Sequence, residues 1–267
     1  MIRRPRELLL GGAILEGMLL LGWVPLGPVE DAVRWIGILV GGGLLHLLLC
    51  ARALRSGIPF GRREAAAVLL LGAIFRLTLV PLEPSLSTDA YRHVWDGRVQ
   101  SAGVDPYRHP PASPALSGLR DAQVWPRINH PELRTVYPPA AQHLSRAAVW
   151  LHGRLAWTGV SEVVAWKGTL LLVELAGAAL LAAGLLRIGR GAALLVYAWS
   201  PLAVVEFYGS GHVEAAGVGL LAGAVGLYLL GRPRSAGALF GAAVLTKWIP
   251  GALLLLAPRM KDRRLLL

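Results

Sequence analysis

Charge is scarce in this sequence. Only 16% of its 267 residues are Asp, Glu, Lys or Arg, where soluble domains carry about 25%. The apolar residues that take their place are gathered in runs of roughly 18–25, the length that spans a bilayer as helix. A soluble enzyme, a disordered tail and a disulfide scaffold are thereby excluded. Cysteine is nearly missing as well: Cys50 stands alone in an apolar stretch, so neither a disulfide nor a thiolate zinc site can form. No glycine-rich loop follows a strand, which removes a nucleotide-sugar donor bound on a Rossmann-like domain. The long polar loop has no Asp-x-Asp pair, and His212-x-Glu214 alone is no metal motif. Lysine supplies three of the 27 cations. With Gly, Ala and Leu abundant, this points to a GC-rich, bacterial gene.

A formal charge of +11 invites a nucleic-acid partner, but the placement of the cations argues against one. Fifteen of them form five clusters at the ends of hydrophobic segments: Arg3, Arg4 and Arg6; Arg52, Arg55, Arg62 and Arg63; Arg187 and Arg190; Arg232 and Arg234; and Arg259, Lys261, Arg263 and Arg264. Cytoplasmic loops have this pattern under the positive-inside rule.

Met1–Gly27 imitates a signal peptide. Its apolar run is too long, contains Glu16 and lacks a small-x-small cleavage site, so a retained first span is expected. Further spans are predicted near 33–51, 65–82, 163–187, 191–208 and 212–231. The last, 236–257, is interrupted at Trp248-Ile249-Pro250, where proline removes a backbone donor and forces a kink or re-entrant break. With the N-terminus inside, the stretch from Glu83 to Glu162 and the turn at 209–214 both face outward. Residues 138–157 mix Gln142, His143, Arg146, His152 and Arg154 with a stripe of Leu144, Ala148, Leu151 and Leu155, the pattern of an amphipathic helix lying on the membrane. The expected fold is an all-α polytopic transmembrane bundle with a large extracytoplasmic loop carrying short amphipathic helices. Residues 1–64 form two N-terminal spans and a cytoplasmic loop, and 65–267 form a membrane module with outer loop 83–162. Small-xxx-small pairs at Gly37/Gly41, Gly219/Gly223 and Gly237/Gly241 are read as close helix packing.

The outer loop concentrates the chemistry. Between Glu83 and Tyr137 lie six of the 16 acidic residues and three of the six tyrosines, with Trp95, Trp125, His93, His109 and His130. Aromatic rings beside carboxylates and guanidinium groups suit a sugar phosphate: rings stack on the sugar, a carboxylate takes a hydroxyl proton, and Arg neutralises phosphate. Asp89 reads either as the N-cap of a helix over 90–100 or as a base. Asp96, two turns on, shares its face and reads either as that helix's ion pair with Arg92 or as a second catalytic carboxylate. Glu206, His212 and Glu214 flank a turn between two spans, and Lys247 precedes the proline break. Ionisable groups at membrane depth are costly and usually functional, although Glu206 and Lys247 can also snorkel to the interface. Glu16, Glu174 and Arg76 have no partner motif around them and are read as structural.

These strings resemble a known family. Asp89-Ala-Tyr-Arg-His-Val-Trp-Asp-Gly-Arg98, Ala102-Gly-Val-Asp-Pro-Tyr107 and Val136-Tyr137-Pro-Pro are similar to membrane glycosyltransferases of the GT-C superfamily, most of all the polyprenol-phosphate-mannose-dependent mannosyltransferases. Trp199-Ser-Pro-Leu through Gly211-His212-Val-Glu214 resembles their second signature, with Glu214 one methylene longer than the family's Asp. Gly241 through Lys247-Trp-Ile-Pro250 resembles a third. The resemblance spans 85–258. It implies inverting transfer of a sugar, mannose by preference, from a polyprenyl-phosphate donor to an acceptor hydroxyl of a glycan or lipid on the outer face. Asp89 matches the family's base, Arg92, Arg98, His212 and Lys247 hold the lipid phosphate, and Tyr91, Trp95, Tyr107 and Tyr137 shape the sugar pocket. His130, Glu206 and Glu214 complete the expected substrate-binding set. The resemblance requires no cofactor and leaves a divalent metal open. Family members run on through several more spans, so a chain ending at Leu265-Leu266-Leu267, at the start of another helix, is expected to be C-terminally truncated or split. A lipid-binding or transport protein without catalysis, or an inactive fragment needing a C-terminal partner, are the competing expectations.

Overall fold

A computed structural model of the chain describes residues 4–55 and 60–259. These residues form helices and turns with no strand among them, the all-α architecture that the hydropathy runs predict. The α-helices in order are α1 (Arg4–Leu20), α2 (Pro28–Arg55), α3 (Arg62–Leu79), α4 (Asp89–Ser101), α5 (Pro139–Leu155), α6 (Glu162–Arg187), α7 (Leu194–Ala198), α8 (Pro201–Val204), α9 (Glu214–Leu229) and α10 (Pro233–Thr246). Each predicted span therefore finds a helix. The expected further helix at Leu265–Leu267, with Arg3, Lys261, Arg263 and Arg264, lies outside the described residues.

Among the described residues, α2 and α6 are long and apolar enough to cross a membrane. The stretch Gly191–Ala198 with Pro201–Gly209 makes a third span if its 47° bend is counted within one crossing, and α9 is apolar but shorter. The termini show why these segments begin and end where they do. Helix α2 opens on Pro28 with Glu30 and Asp31 in its first turn and closes with Arg52 and Arg55 in its last, so charge complements the helix dipole at both ends. Helix α6 is capped by Ser161, whose hydroxyl accepts the Val164 N–H at 3.2 Å, a favoured N-cap arrangement.

Helices α6 and α9 meet backbone to backbone. A Cβ placed on Gly177 would collide with the Gly219 carbonyl, and one on Gly226 with the Leu180 backbone, so only glycine allows this approach. The Gly219/Gly223 pair is thus an interface. Gly41 lies close to Met18, 3.1 Å from such a Cβ, whereas Gly37 and Gly241 have nothing within 4 Å.

Between the membrane-length helices lies a second charge cluster. Arg76 and Glu174, both fully buried, form a two-pronged ion pair at 2.5 and 2.6 Å. The carboxylate also accepts from Tyr197 at 2.6 Å and Tyr208 at 2.9 Å, while Arg76 donates to the Gly72 and Ala198 carbonyls. Every prong of both groups is satisfied, as buried charge requires. Glu16 accepts from the Thr78 hydroxyl.

Two departures from regular helix shape the loop end of the bundle. After the bend at Trp199-Ser200, the chain runs through α8 into a π-helical turn, Val205–Gly209, a geometry that often marks functional sites. Helix α10 stops at Thr246. Lys247 is extended and a 3-10 helix, Ile249–Arg259, follows, so the break expected at Trp248-Ile249-Pro250 is present.

Candidate active site

Asp89 opens helix α4, and the helix positions it differently from the capping alternative. Thr88, not Asp89, is the N-cap, and no side chain caps there. The Asp89 carboxylate is left free to face the loop, where Asn129 Nδ2 donates to it at 2.6 Å and the Tyr137 hydroxyl at 3.3 Å. It is half-buried. Both of these donors are neutral, so the carboxylate is oriented without being neutralised by a cation.

Tyr137 links this carboxylate to the rest of the site. Its ring is covered by the Lys247 ammonium, 5.6 Å from the ring centre, and Lys247 in turn pairs with Glu214 at 2.8 Å. Burial, the Asp89 charge and Glu214 push the Tyr137 phenol far above its ordinary range, so it stays protonated and a donor. One turn of chain away, His212 pairs with Glu206 at 3.1 Å. All four of these ionisable side chains remain partly exposed, between 23% and 36%. The turn bearing Glu206, His212 and Glu214 reaches α4 through Gly211. Its φ of +76° is a conformation glycine tolerates, and a Cβ there would strike Ala90, the residue beside Asp89. The Trp166 indole fixes the same turn by donating to the Gly211 carbonyl at 2.7 Å. Ala90 and Gly211, 121 residues apart, are thus brought together at one end of the bundle.

His93 and Lys167 were missed by sequence reasoning. His93 is fully buried, stacked on Trp166 at 4.4 Å and leaning on Tyr137 at 4.1 Å. Burial, with the Lys247, Arg92 and His212 charges, holds it down to about 3, so the ring is neutral. Its place one turn after Asp89 within the Asp89–Arg98 string was the available signal. Lys167, also fully buried, donates to the Leu82 carbonyl at 2.6 Å and ties the end of α3 to α6. It lay inside an apolar run and gave no local sign of this.

The remaining predicted residues go elsewhere. Asp96, 2% exposed, pairs with Arg92 at 3.1 Å and accepts from Gln142 at 2.9 Å. Burial raises its carboxyl, partly offset by Arg92, Gln142 and Thr135. Arg92 spends its other prong on the Leu133 carbonyl. Trp95 is buried against Trp125. Arg98 bridges Glu162 and Asp121, the latter at 2.6 Å. Burial would raise Asp121, but Arg98 and the Val124 and Trp125 N–H groups hold it at about 2. These side chains brace α4 against α5, α6 and the loop, and α5 crosses so closely that a Cβ on Gly97 would enter the Ser145 carbonyl. Tyr107 donates to the Tyr137 carbonyl at 2.8 Å. His130 is exposed, beside Glu132 at 3.5 Å, with φ of 47°. Tyr91 donates to Glu83 at 2.6 Å and accepts from Arg127 at 2.7 Å. Burial and Glu83 push its phenol up to about 12. Among the described residues, no three His, Cys, Asp or Glu side chains gather where they could share a metal ion.

The arrangement is an oriented carboxylate beside a phenol, a lysine and an imidazole. One family model, described as Alpha-(1->6)-mannopyranosyltransferase, N-terminal domain, matches residues 10–259. The chain belongs to this mannosyltransferase family. No curated protein and no solved structure matches it. Family membership makes the GT-C-like resemblance of the three signatures a statement about ancestry, and it makes glycosyl transfer the chemistry against which the site is read. Within this family member, the three signatures converge: the first supplies Asp89 and Tyr137, the second Glu206, His212 and Glu214, and the third Lys247.

Proposed function

We propose that this protein is a multi-pass membrane mannosyltransferase that works on the extracytoplasmic face, moving mannose from a polyprenyl-phosphate donor to an acceptor hydroxyl with inversion. The observation that supports it best is the Asp89 carboxylate, held by Asn129 and Tyr137 and not ion-paired as its neighbour Asp96 is with Arg92. In this reading Asp89 takes the proton of the acceptor hydroxyl. The resulting oxygen attacks the anomeric carbon from the side opposite the phosphate, the carbon–phosphate-oxygen bond breaks, and polyprenyl phosphate leaves with the electron pair. That leaving group is already acidic, so cations are enough to stabilise it and no general acid is required. Lys247 supplies a cation and His212 an imidazole on this side of the bundle, each held by a carboxylate that a phosphate could displace. Mannose is assigned from the family, the outward orientation rests on the arginine clusters, and the bacterial origin rests on the excess of Arg over Lys with abundant Gly, Ala and Leu.

Purified protein in nanodiscs, given polyprenyl-phosphate mannose and an oligomannoside acceptor, tests this. The unsubstituted protein is expected to transfer and Asp89→Asn to lose transfer while still binding the lipid donor. Transfer by Asp89→Asn at the unsubstituted rate would show the base is another group, and lipid binding without transfer by either protein would favour a carrier.

A further inference from the structure

Where the end of α1 meets the start of α2 lies a cavity of about 410 Å³ that no part of the foregoing uses. Its wall includes Trp23, Asp31, Arg34, Trp35, Glu83 and Ser85, and its size lies within the roughly 300–1,000 Å³ of ligand sites. We infer that this cavity binds the non-reacting sugars of the acceptor glycan, an inference that rests on the glycosyltransferase reading above.

Three observations carry it. First, the cavity is built. The Trp23 indole is 52% exposed, yet its Nε1 is pinned to the Thr78 carbonyl at 3.1 Å. Trp35 lies buried behind, donating to the Ser85 hydroxyl at 3.1 Å. A fixed, open indole is what the apolar face of a pyranose stacks on. Second, the wall offers polar partners for hydroxyls. Arg34 pairs with Asp31 and donates to the Val24 carbonyl, and Glu83 pairs with Arg127 at 3.0 Å, so no single charge dominates the wall. The Asp31, Glu83 and Ser85 oxygens are acceptors for sugar hydroxyls. The lysine and imidazole of the active site lie with Tyr137 instead, which separates an anion-binding side from a sugar-binding side. Third, one short segment serves both places. Arg127 donates to Glu83 at 3.0 Å and to Tyr91 at 2.7 Å, while Asn129, two residues on, holds Asp89. An acceptor chain seated against Trp23 and Glu83 is thereby registered to the carboxylate that deprotonates its terminal hydroxyl.

The test uses the protein in nanodiscs with α-(1→6)-linked mannotriose as probe, binding read by calorimetry and transfer by acceptor and donor titration. Trp23→Ala is expected to weaken mannotriose binding by about tenfold and to raise the acceptor KM similarly, with kcat and the KM for polyprenyl-phosphate mannose unchanged. Trp23→Phe, which keeps a ring, is expected to retain most of the binding, and Glu83→Gln to weaken it. Unchanged mannotriose binding in both Trp23→Ala and Glu83→Gln would reduce Trp23 to a membrane-interface anchor and overturn the inference. So would loss of mannotriose binding on adding dodecyl phosphate, which would make the cavity an anion site. Failure of the donor reading gives a different result: mannotriose binds and responds to Trp23→Ala, but no mannose is transferred from the lipid.

Discussion

Arg76 with Glu174, between the long helices, and Asp89 with Tyr137, Glu214 and Lys247, at their loop end, both set opposite charges against phenols. In the first cluster the ion pair's hydrogen-bonding positions are taken, and Arg76, Glu174 and Tyr208 are fully buried. In the second, Lys247 and Glu214 are about a third exposed, and Asp89 is held by neutral donors alone. Saturation marks the first as scaffold, because a ligand could enter only by breaking it. Exchangeable partners are what recommend the second as the proposed site: in that reading phosphate replaces a carboxylate on Lys247 and a hydroxyl approaches Asp89 without dismantling the fold.

This contrast can be broken in order of expected effect. Glu174→Ala leaves Arg76 buried and uncompensated and is expected to destabilise the protein by about 3–5 kcal/mol, measured by thermal unfolding in detergent. If it melted with the unsubstituted protein, the scaffold assignment would fail. Asp89→Asn is expected to reduce transfer about 10²–10⁴-fold with an unchanged melting temperature, since it deletes no buried charge pair. Lys247→Ala removes one charge-assisted contact to the leaving phosphate and is expected to cost about 1.5–3 kcal/mol in kcat/KM for the lipid donor, with acceptor KM unaltered. Tyr137→Phe removes only the 3.3 Å hydrogen bond to Asp89 and keeps the ring under Lys247. About a tenfold loss in kcat is expected, and no loss would separate the phenol from the base.

A smaller effect concerns pH. His93 is neutral when folded, its ordinary value of 6.5 lowered to about 3, chiefly by burial. An unfolded chain takes up this proton as pH falls through 6.5, but the folded one does not until about 3. Stability is therefore lost across that window, by about 1 kcal/mol between pH 7 and 5.5. His93→Phe is expected to flatten that part of the unfolding profile. An identical acid slope in the two proteins would place the charge change elsewhere.

How much of this was legible depends on the range of the forces involved. Helices α4 and α5 and the stop before Pro250 follow from periodicity, caps and proline, which act over a few residues. Asp89, His212 and Lys247 could be singled out from the sequence because each sits in a compact motif. The ring and guanidinium roles were less so. Trp95, Arg92 and Arg98 were expected around the sugar phosphate, and they are instead used to bind α4 to its neighbours. Nothing local distinguishes an arginine aimed at Glu162 from one aimed at a ligand, because the difference lies in what packs 64 residues away.

By itself, the sequence determined an all-α chain with membrane-length apolar helices and a polar loop between them, since hydropathy and charge segregation are summed over segments and survive without any knowledge of contacts. Only the tertiary structure decided that Arg76 and Glu174 complete each other across 98 residues, that Asp96 is spent while Asp89 is not, and that Trp23 stands over a cavity tied to the same loop. Those outcomes depend on which side chains meet at about 3 Å. Such meetings are set by the glycine-tight crossings of α6 on α9 and α4 on α5, a property of the assembled bundle that no single segment contains.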